Sequence, residues 1–222
     1  MKKKIVSICL VVALIAIAVV GASLAYFTDS EKVENTFTMG KGVDIDLDED
    51  VDVPDDKKDD PTWQPGTKTD DGADYEDVVP GVNYAKKAVI SVEEDSQDAY
   101  VFAELSVKDY NKLYAALTAA GFDATDLSKL LVNADLGTGV VIDAWMDGPE
   151  GAEDTFHIVF TKGVMEAEDT WTLFDAVKIP GEFTSDIVKD LGEISFQIKG
   201  YAIQATGFAD AASAWAELDP VA

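Results

Sequence analysis

The sequence of 222 residues predicts a mainly β fold, an antiparallel β-sandwich with a few short helices inserted between the strands. Many short stretches rich in β-branched and aromatic residues alternate with Gly, Pro and Asp, which is typical of strands joined by turns. Only three short stretches have apolar residues at helical spacing. Strands and helices do not alternate as they would in a parallel sheet, so we expect antiparallel strands.

The N-terminal segment has the parts of a secretory signal. Three lysines precede an apolar run over residues 5–20, and small residues stand at Ser23 and Ala25. We therefore predict a signal peptide over residues 1–25, cleavage between Ala25 and Tyr26, and a secreted protein. The alternative is an uncleaved anchor, because the apolar run and the residues after it are long enough to span a bilayer as a helix. In that case this segment would be the only contact with the membrane.

The first strand after the signal is predicted at residues 44–53. Aspartates occupy the even positions from 44 to 52, and most of the odd positions are apolar. This alternation of polar and apolar residues puts the aspartates on a solvent-exposed face and the apolar residues on a buried face, so this strand should lie at the surface of the body. Residues 54–77 then lose periodicity and collect Pro, Asp and Lys, with a turn at residues 63–66. We expect a long acidic loop or a partly disordered insertion there.

Six more strands and three helices complete the predicted body. The strands are expected at residues 88–92, 99–107, 139–145, 155–161, 171–179 and 192–204. The helices are expected at residues 109–120, 124–132 and 210–218. The first helix has the clearest helical spacing and stops at Gly121. Residues 26–222 should thus form one β-sandwich domain, since single all-β domains commonly reach this length.

Composition restricts the partners and the chemistry. The formal charge is −26, and it becomes −29 when Lys2, Lys3 and Lys4 leave with the signal. A negative charge of this size repels nucleic acid and anionic membranes. The one cysteine, Cys9, lies inside the signal, so the secreted chain has no thiol for a disulfide, a thiolate metal site or a nucleophile. Apolar burial, assembly or bound ions must therefore hold the body together.

The residues that follow the predicted cleavage site resemble those of a known family. The aromatic pair Tyr26 and Phe27 precedes an acidic residue, an Asn-Thr-Phe-Thr run at residues 35–38, a glycine and the alternating strand described above. Together these features are similar to the N-terminal signature of the TasA and camelysin proteins. A weaker similarity continues at the Pro-Gly turn of residues 79–81 and at residues 201–205.

This resemblance implies a fold, an export route and a partner. The family is exported by Gram-positive bacteria through a dedicated signal peptidase of the SipW type, which implies a place at the cell surface or in the biofilm matrix. It implies a jelly-roll body. It also implies fibres in which each subunit donates its N-terminal strand to the next sandwich, a form of β-strand addition that grows filaments.

The candidate assembly strand that follows from the resemblance consists of Tyr26, Phe27, Phe37 and Met39. Its expected partner is a further copy of the chain or a related matrix protein. These aromatic and apolar residues would be exposed next to the new N-terminus and would need a groove to cover them. The alternative is that residues 26–48 pair within their own domain, and the segment alone does not distinguish the two.

Camelysin is classed as a metalloprotease, so an enzymatic role is the main alternative. Zinc proteases normally use two or three histidines near a general-base glutamate, whereas this chain has one histidine. His157 stands in a strand-like run, where we expect a half-buried structural side chain rather than a ligand. The sequence has no Gly-x-Ser-x-Gly elbow for a serine hydrolase. We therefore name no catalytic residue and predict neither enzymatic activity nor a resident cofactor.

Calcium is the ion that an acidic extracellular protein suggests first. The even-numbered aspartates from Asp44 to Asp50 are spaced like part of a calcium loop, but Glu49 stands where the turn glycine is needed. In a strand, carboxylates on one face are about 6.6 Å apart, too far to surround one ion. Diffuse cation binding fits better, because residues 44–77 contain 15 acidic residues and 3 lysines.

Three functions from different classes are consistent with these observations. The first is a structural protein of the cell surface or biofilm matrix that assembles through its N-terminal strand. The second is a camelysin-like surface metalloprotease. The third is a monomeric surface module that binds a carbohydrate or a host protein through the segment around Trp63 or the helices of residues 109–132.

Overall fold

The computed structural model describes residues 28–31, 42–69, 72–147 and 154–218. The predicted signal and cleavage site and all four residues of the candidate assembly strand lie outside these ranges. Within them, none of the helices combines the length and the apolar character that a membrane span requires.

The described residues form twelve strands and three α-helices. The strands are β1 (Thr28–Glu31), β2 (Ile45–Asp50), β3 (Trp63–Gln64), β4 (Thr67–Thr69), β5 (Gly72–Asp74), β6 (Asn83–Val92), β7 (Ala99–Lys108), β8 (Leu131–Val132), β9 (Val141–Asp147), β10 (Thr155–Met165), β11 (Thr170–Lys178) and β12 (Ser195–Gln204). The helices are α1 (Tyr110–Ala119), α2 (Ser185–Leu191) and α3 (Ala211–Leu218).

Two main sheets form the body, and both are built from antiparallel neighbours. Sheet A has the strand order β1-β12-β7-β10-β9, and sheet B has the order β2-β6-β11-β8, with β3 added in parallel to β6. Strands β4 and β5 form a separate hairpin. This arrangement confirms the mainly β fold and the antiparallel sandwich that the sequence predicts.

The main core lies between the two sheets. On β2 the predicted alternation is present, since Ile45 and Leu47 are buried while Asp46 and Asp48 are exposed. The sheets approach closely at Gly200 on β12, where an added Cβ atom would lie 3.3 Å from Cδ1 of Ile45. Each large apolar side chain buried in this way contributes roughly 1.5 to 3 kcal/mol to stability.

Helices α1 and α2 pack together at the end of sheet A where β7 ends and β12 begins. The inward stripe of α1 contains Leu113 and Leu117, both fully buried. The helix stops just before Gly121, whose φ of +84° is a left-handed conformation that costs glycine little. The predicted helix at residues 109–120 is therefore present, with ends one residue inside the expected ones.

The predicted helix at residues 124–132 is wrong. The chain instead makes a 3₁₀ turn over Leu127–Leu130 and then enters the short strand β8. The Asp126 side chain accepts a hydrogen bond from the Ser128 N–H at 3.2 Å, which starts the turn. The i, i+3 pair Leu127 and Leu130 is buried, and that spacing fits a 3₁₀ turn as well as an α-helix.

Two further segments differ from the sequence-based expectations. Helix α2 was not predicted; its N-cap is Thr184, which accepts a hydrogen bond from the Ile187 N–H. The described part of the predicted acidic loop contains short regular elements, namely a 3₁₀ turn at Asp55–Lys57, strand β3 and the β4-β5 hairpin. Trp63, expected in a turn, lies on β3 with only 9% of its surface exposed.

Candidate functional site

The most distinctive group of side chains in the described residues is a polar cluster on the outer face of sheet A, buried except for one partly exposed lysine. We call it the Glu104 cluster, and its members are Glu104, Ser106, His157, Lys199 and Tyr201. Strand alternation puts these side chains on the face opposite the main core, because their neighbours in the chain face inward. Antiparallel register then places Ser106 of β7 opposite His157 of β10, and Glu104 opposite Lys199 of β12.

Glu104 is the centre of the cluster and is 1% exposed. Its Oε2 accepts a hydrogen bond from the Tyr201 hydroxyl at 2.5 Å. Its Oε1 accepts from the Ser106 hydroxyl at 2.8 Å, lies 2.8 Å from Nδ1 of His157 and lies 3.3 Å from Nζ of Lys199. A carboxylate buried this deeply is stable only when its oxygens are satisfied, and here four groups satisfy them.

The same contacts determine the ionisation of Glu104. Burial alone would raise the pKa of its carboxyl group, but hydrogen bonds from Tyr201, His157 and Ser106, together with the charge of Lys199, bring that pKa below its ordinary value. Conversely, burial and the hydrogen bond to Glu104 raise the pKa of the Tyr201 hydroxyl. Glu104 is therefore the anion of the cluster, and Tyr201 is a neutral donor.

His157 has one ring nitrogen inside the cluster and one directed away from it. Because Glu104 is ionised and can only accept, Nδ1 carries a proton. Trp145 of β9 stacks on the imidazole ring, with ring centroids 4.7 Å apart and an interplanar angle of 2°. The other nitrogen, Nε2, is buried and has no hydrogen-bond partner, although Oδ1 of Asp147 lies only 3.1 Å away.

Helix α3 covers the part of the outer face next to the cluster. The Trp215 ring lies 5.2 Å from the Phe102 ring and 5.4 Å, edge to face, from the Tyr201 ring. Its Nε1–H donates to Oδ2 of Asp143 on β9 at 3.1 Å. Helix α3 thus contacts β7, β12 and β9 next to the Glu104 cluster.

This geometry does not form a catalytic triad. In a triad the nucleophile and the carboxylate contact opposite nitrogens of the histidine ring. Here Ser106 and Glu104 both contact Nδ1, at 2.9 and 2.8 Å, and Ser106 donates its own proton to Glu104. His157 is predicted to be half-buried, and at 7% exposure it is more buried than that.

A second feature of sheet A is the edge where β1 pairs with β12. Strand β1 pairs with β12 over four residues, from Thr28 opposite Ile203 to Glu31 opposite Gly200. On its other side, β12 pairs with β7 over its full ten residues. Among the described residues, no strand pairs with Ser195 to Lys199 on the β1 side.

A third feature is an acidic groove between the end of β2, the first 3₁₀ turn and β11. Its lining residues are Asp50, Asp52, Val53, Pro54, Asp55, Asp56, Lys57, Lys58, Trp63, Pro65, Lys87, Asn133 and Asp175. Several of its charges are already paired within the groove, for example Lys57 with Asp56 at 3.0 Å. Within the described ranges, no three His, Cys, Asp or Glu side chains converge as a metal centre.

The structure separates the residues that the sequence suggested for binding. Asp46 and Asp48 are exposed on the outer face of sheet B, away from His157 on sheet A. Trp63 is buried against Ala85 and Ala176, so its ring is not free to bind a ligand. On α1, Tyr114 is 48% exposed and remains available.

The Glu104 cluster was not identified from the sequence. A charged residue inside the apolar run of residues 99–107 was a visible signal, because an isolated carboxylate in a buried strand requires partners. Its partners lie up to 97 positions away, at Tyr201. Comparison with known proteins adds no further assignment, since no family model, curated protein or solved structure matches this chain.

Proposed function

We propose that this chain is a structural, non-enzymatic protein of the cell surface or extracellular matrix of a Gram-positive bacterium. In this proposal the subunits assemble when the N-terminal strand of one copy pairs with the sandwich of the next. The resemblance of residues 26–48 to the TasA and camelysin proteins suggests this role. The position of β1 at the edge of sheet A supports it.

The supporting observation is that β1 is short and peripheral. It has four residues, and ten residues of the chain separate it from Gly42, the next described residue. Its pairing partner, β12, is held independently by ten residue pairs with β7. The edge of β12 that pairs with β1, which we call the β1 seat, can therefore keep its structure without β1. An identical segment from a second copy can then pair there in the same register.

The composition agrees with a role outside the cell. The chain has a segment with the features of an export signal, and without that segment it contains no cysteine that could be oxidised. The net charge, −26 for the whole chain and −29 without Lys2, Lys3 and Lys4, keeps separate copies apart in solution. Assembly would then depend on backbone pairing and on cations that screen the charge.

The decisive experiment is negative-stain electron microscopy of residues 26–222, with and without about 1 mM calcium, beside a protein that begins at Gly40. We expect filaments from the longer protein and none from the shorter one. Separate, uniform particles from both proteins would contradict assembly through the N-terminal strand and would favour a monomeric surface module.

A pair of matched variants tests the role of β1 without shortening the chain. Proline has no backbone N–H, and successive N–H groups of a strand point in alternate directions. The double variant Asp29→Pro and Ser30→Pro therefore removes at least one N–H that points toward β12. We expect this variant to lose filaments. The control, Asp29→Thr and Ser30→Thr, keeps strand-forming residues and should retain them. Equal filament formation by both variants would show that β1 is not the assembly strand.

A further inference from the structure

We propose that Nε2 of His157 and the carboxylate of Asp147 form a binding site for a divalent copper ion on the outer face of sheet A. This site is separate from the N-terminal strand and does not depend on the assembly proposed above.

The first argument is the state of the histidine. Nε2 is buried, yet it has no hydrogen-bond partner, and leaving a buried polar atom unpaired costs about 1 to 3 kcal/mol. Nδ1 is fixed by Glu104 at 2.8 Å and carries the ring proton. In the neutral ring this leaves the lone pair on Nε2, next to Asp147, and that is the form of imidazole that binds a metal.

The second argument is the position of Asp147. Its Oδ1 lies 3.1 Å from Nε2 without the alignment of a hydrogen bond. A nitrogen and an oxygen donor suit first-row divalent metals, among which Cu²⁺ generally binds most tightly.

The third argument is the support behind the histidine. Metal-binding histidines usually donate their second N–H to a carboxylate, which fixes the ring and makes the bound nitrogen more basic. Glu104 occupies that position and is itself held by Tyr201 and Ser106. Trp145 covers one face of the ring, so the plane of the imidazole stays directed at Asp147.

Access to the site is from the side of Asp147. The Asp147 side chain is 60% exposed, whereas the His157 side chain is 9% exposed. An ion can reach the carboxylate from solvent and then take Nε2 as its second ligand, with water completing its coordination. The negative field of the chain raises the local concentration of cations around this entrance.

The test uses tag-free protein of residues 26–222 with one equivalent of Cu²⁺ and pulsed electron paramagnetic resonance. His157 is the only histidine in the sequence, so nuclear modulation from an imidazole nitrogen can come from no other residue. We expect this modulation in the unmodified protein and its loss in His157→Gln. Millimolar Ca²⁺ should not remove it, because calcium takes oxygen ligands.

Titration calorimetry with Cu²⁺ supplies the matched controls. We expect Asp147→Asn to weaken binding by about tenfold or more. Because Asp147 is exposed, this variant keeps the fold even if His157→Gln does not. Asp48→Asn removes an exposed carboxylate of sheet B and should leave the affinity unchanged.

Two results would overturn the proposal. One is a spectrum with oxygen ligands only, together with equal affinities for all the variants, which would mean that copper binds diffusely to the acidic surface. The other is the absence of measurable Cu²⁺ binding. Neither result bears on filament formation by the N-terminal strand, so the two proposals fail separately.

Discussion

Glu104 and Glu49 are both strand carboxylates that face a cation from a neighbouring strand, but their surroundings differ. Glu104 is 1% exposed and contacts four other side chains on the outer face of sheet A. Glu49 on β2 is 21% exposed in its side chain and contacts Lys86 of β6 at 2.7 Å. The charge of Glu49 also contributes, after burial, to a raised pKa of the nearby Tyr75 hydroxyl.

The difference shows that the depth of burial sets how many partners a charge requires. Water still reaches Glu49, so one ion pair is sufficient there. Glu104 is 1% exposed, and its oxygens are satisfied by two hydroxyls on different strands, an imidazole and an ammonium group. Replacing one member of the Glu104 cluster should therefore weaken the contacts of all the others, whereas replacing Glu49 should affect only its pair with Lys86.

The largest effect is expected for Glu104→Gln. The amide keeps the shape of the side chain but carries no charge, so it cannot satisfy the four groups that contact the carboxylate. The Lys199 ammonium group, whose side chain is 24% exposed, also loses its counter-charge. We expect the free energy of unfolding to fall by about 3 kcal/mol, measured by urea denaturation. The control is Glu94→Gln at an exposed turn position, which should stay within about 0.5 kcal/mol of the unmodified protein. Equal stability of both variants would refute the network.

A smaller effect is expected for Glu49→Gln. The change leaves the Lys86 ammonium group, whose side chain is 8% exposed, without its partner. We expect a loss of about 1 to 2 kcal/mol in the same urea experiment, between the values for surface and buried pairs. The double variant Glu49→Leu and Lys86→Met should recover part of this loss. A loss as large as that of Glu104→Gln would mean that burial does not distinguish the two sites.

The smallest effect to resolve is the pH dependence of the Glu104 contribution. The pKa of Glu104 in the folded protein is below its ordinary value, so its stabilising contribution is fully present above the unfolded pKa of about 4.3. It is lost as the pH falls through the folded pKa. We expect the difference in unfolding free energy between the unmodified protein and Glu104→Gln to shrink as the pH falls below about 4. A difference that grows on acidification below about pH 4 would contradict this sign.

The strand pattern could be predicted because it depends on local periodicity. The alternation of Ile45, Asp46, Leu47 and Asp48 identified the buried face of β2, and the structure agrees. Helix α1 was predictable for the same reason. Helix α2 has only seven residues, too few for a helical period to be distinguished from a polar loop that contains Ile187, Val188 and Leu191.

The candidate site could not be predicted because it depends on register between distant strands. Glu104 meets His157 and Tyr201 only because β7 lies between β10 and β12 in sheet A, and the two contacts join residues 53 and 97 positions apart. A single sequence shows that Glu104 is unusual in an apolar strand but does not identify its partners. The same limit explains why Trp63 was placed in a turn, although it packs against Ala176 of β11.

The unequal pairing on the two sides of β12 has a mechanical consequence. Strand β1 is joined to β12 by four residue pairs, whereas β12 is joined to β7 by ten. In a filament held together at the β1 seat, a pulling force would pass through the four-pair joint before it reached the ten-pair joint. Rupture should therefore separate subunits and leave each sandwich folded, so that the released ends can join again.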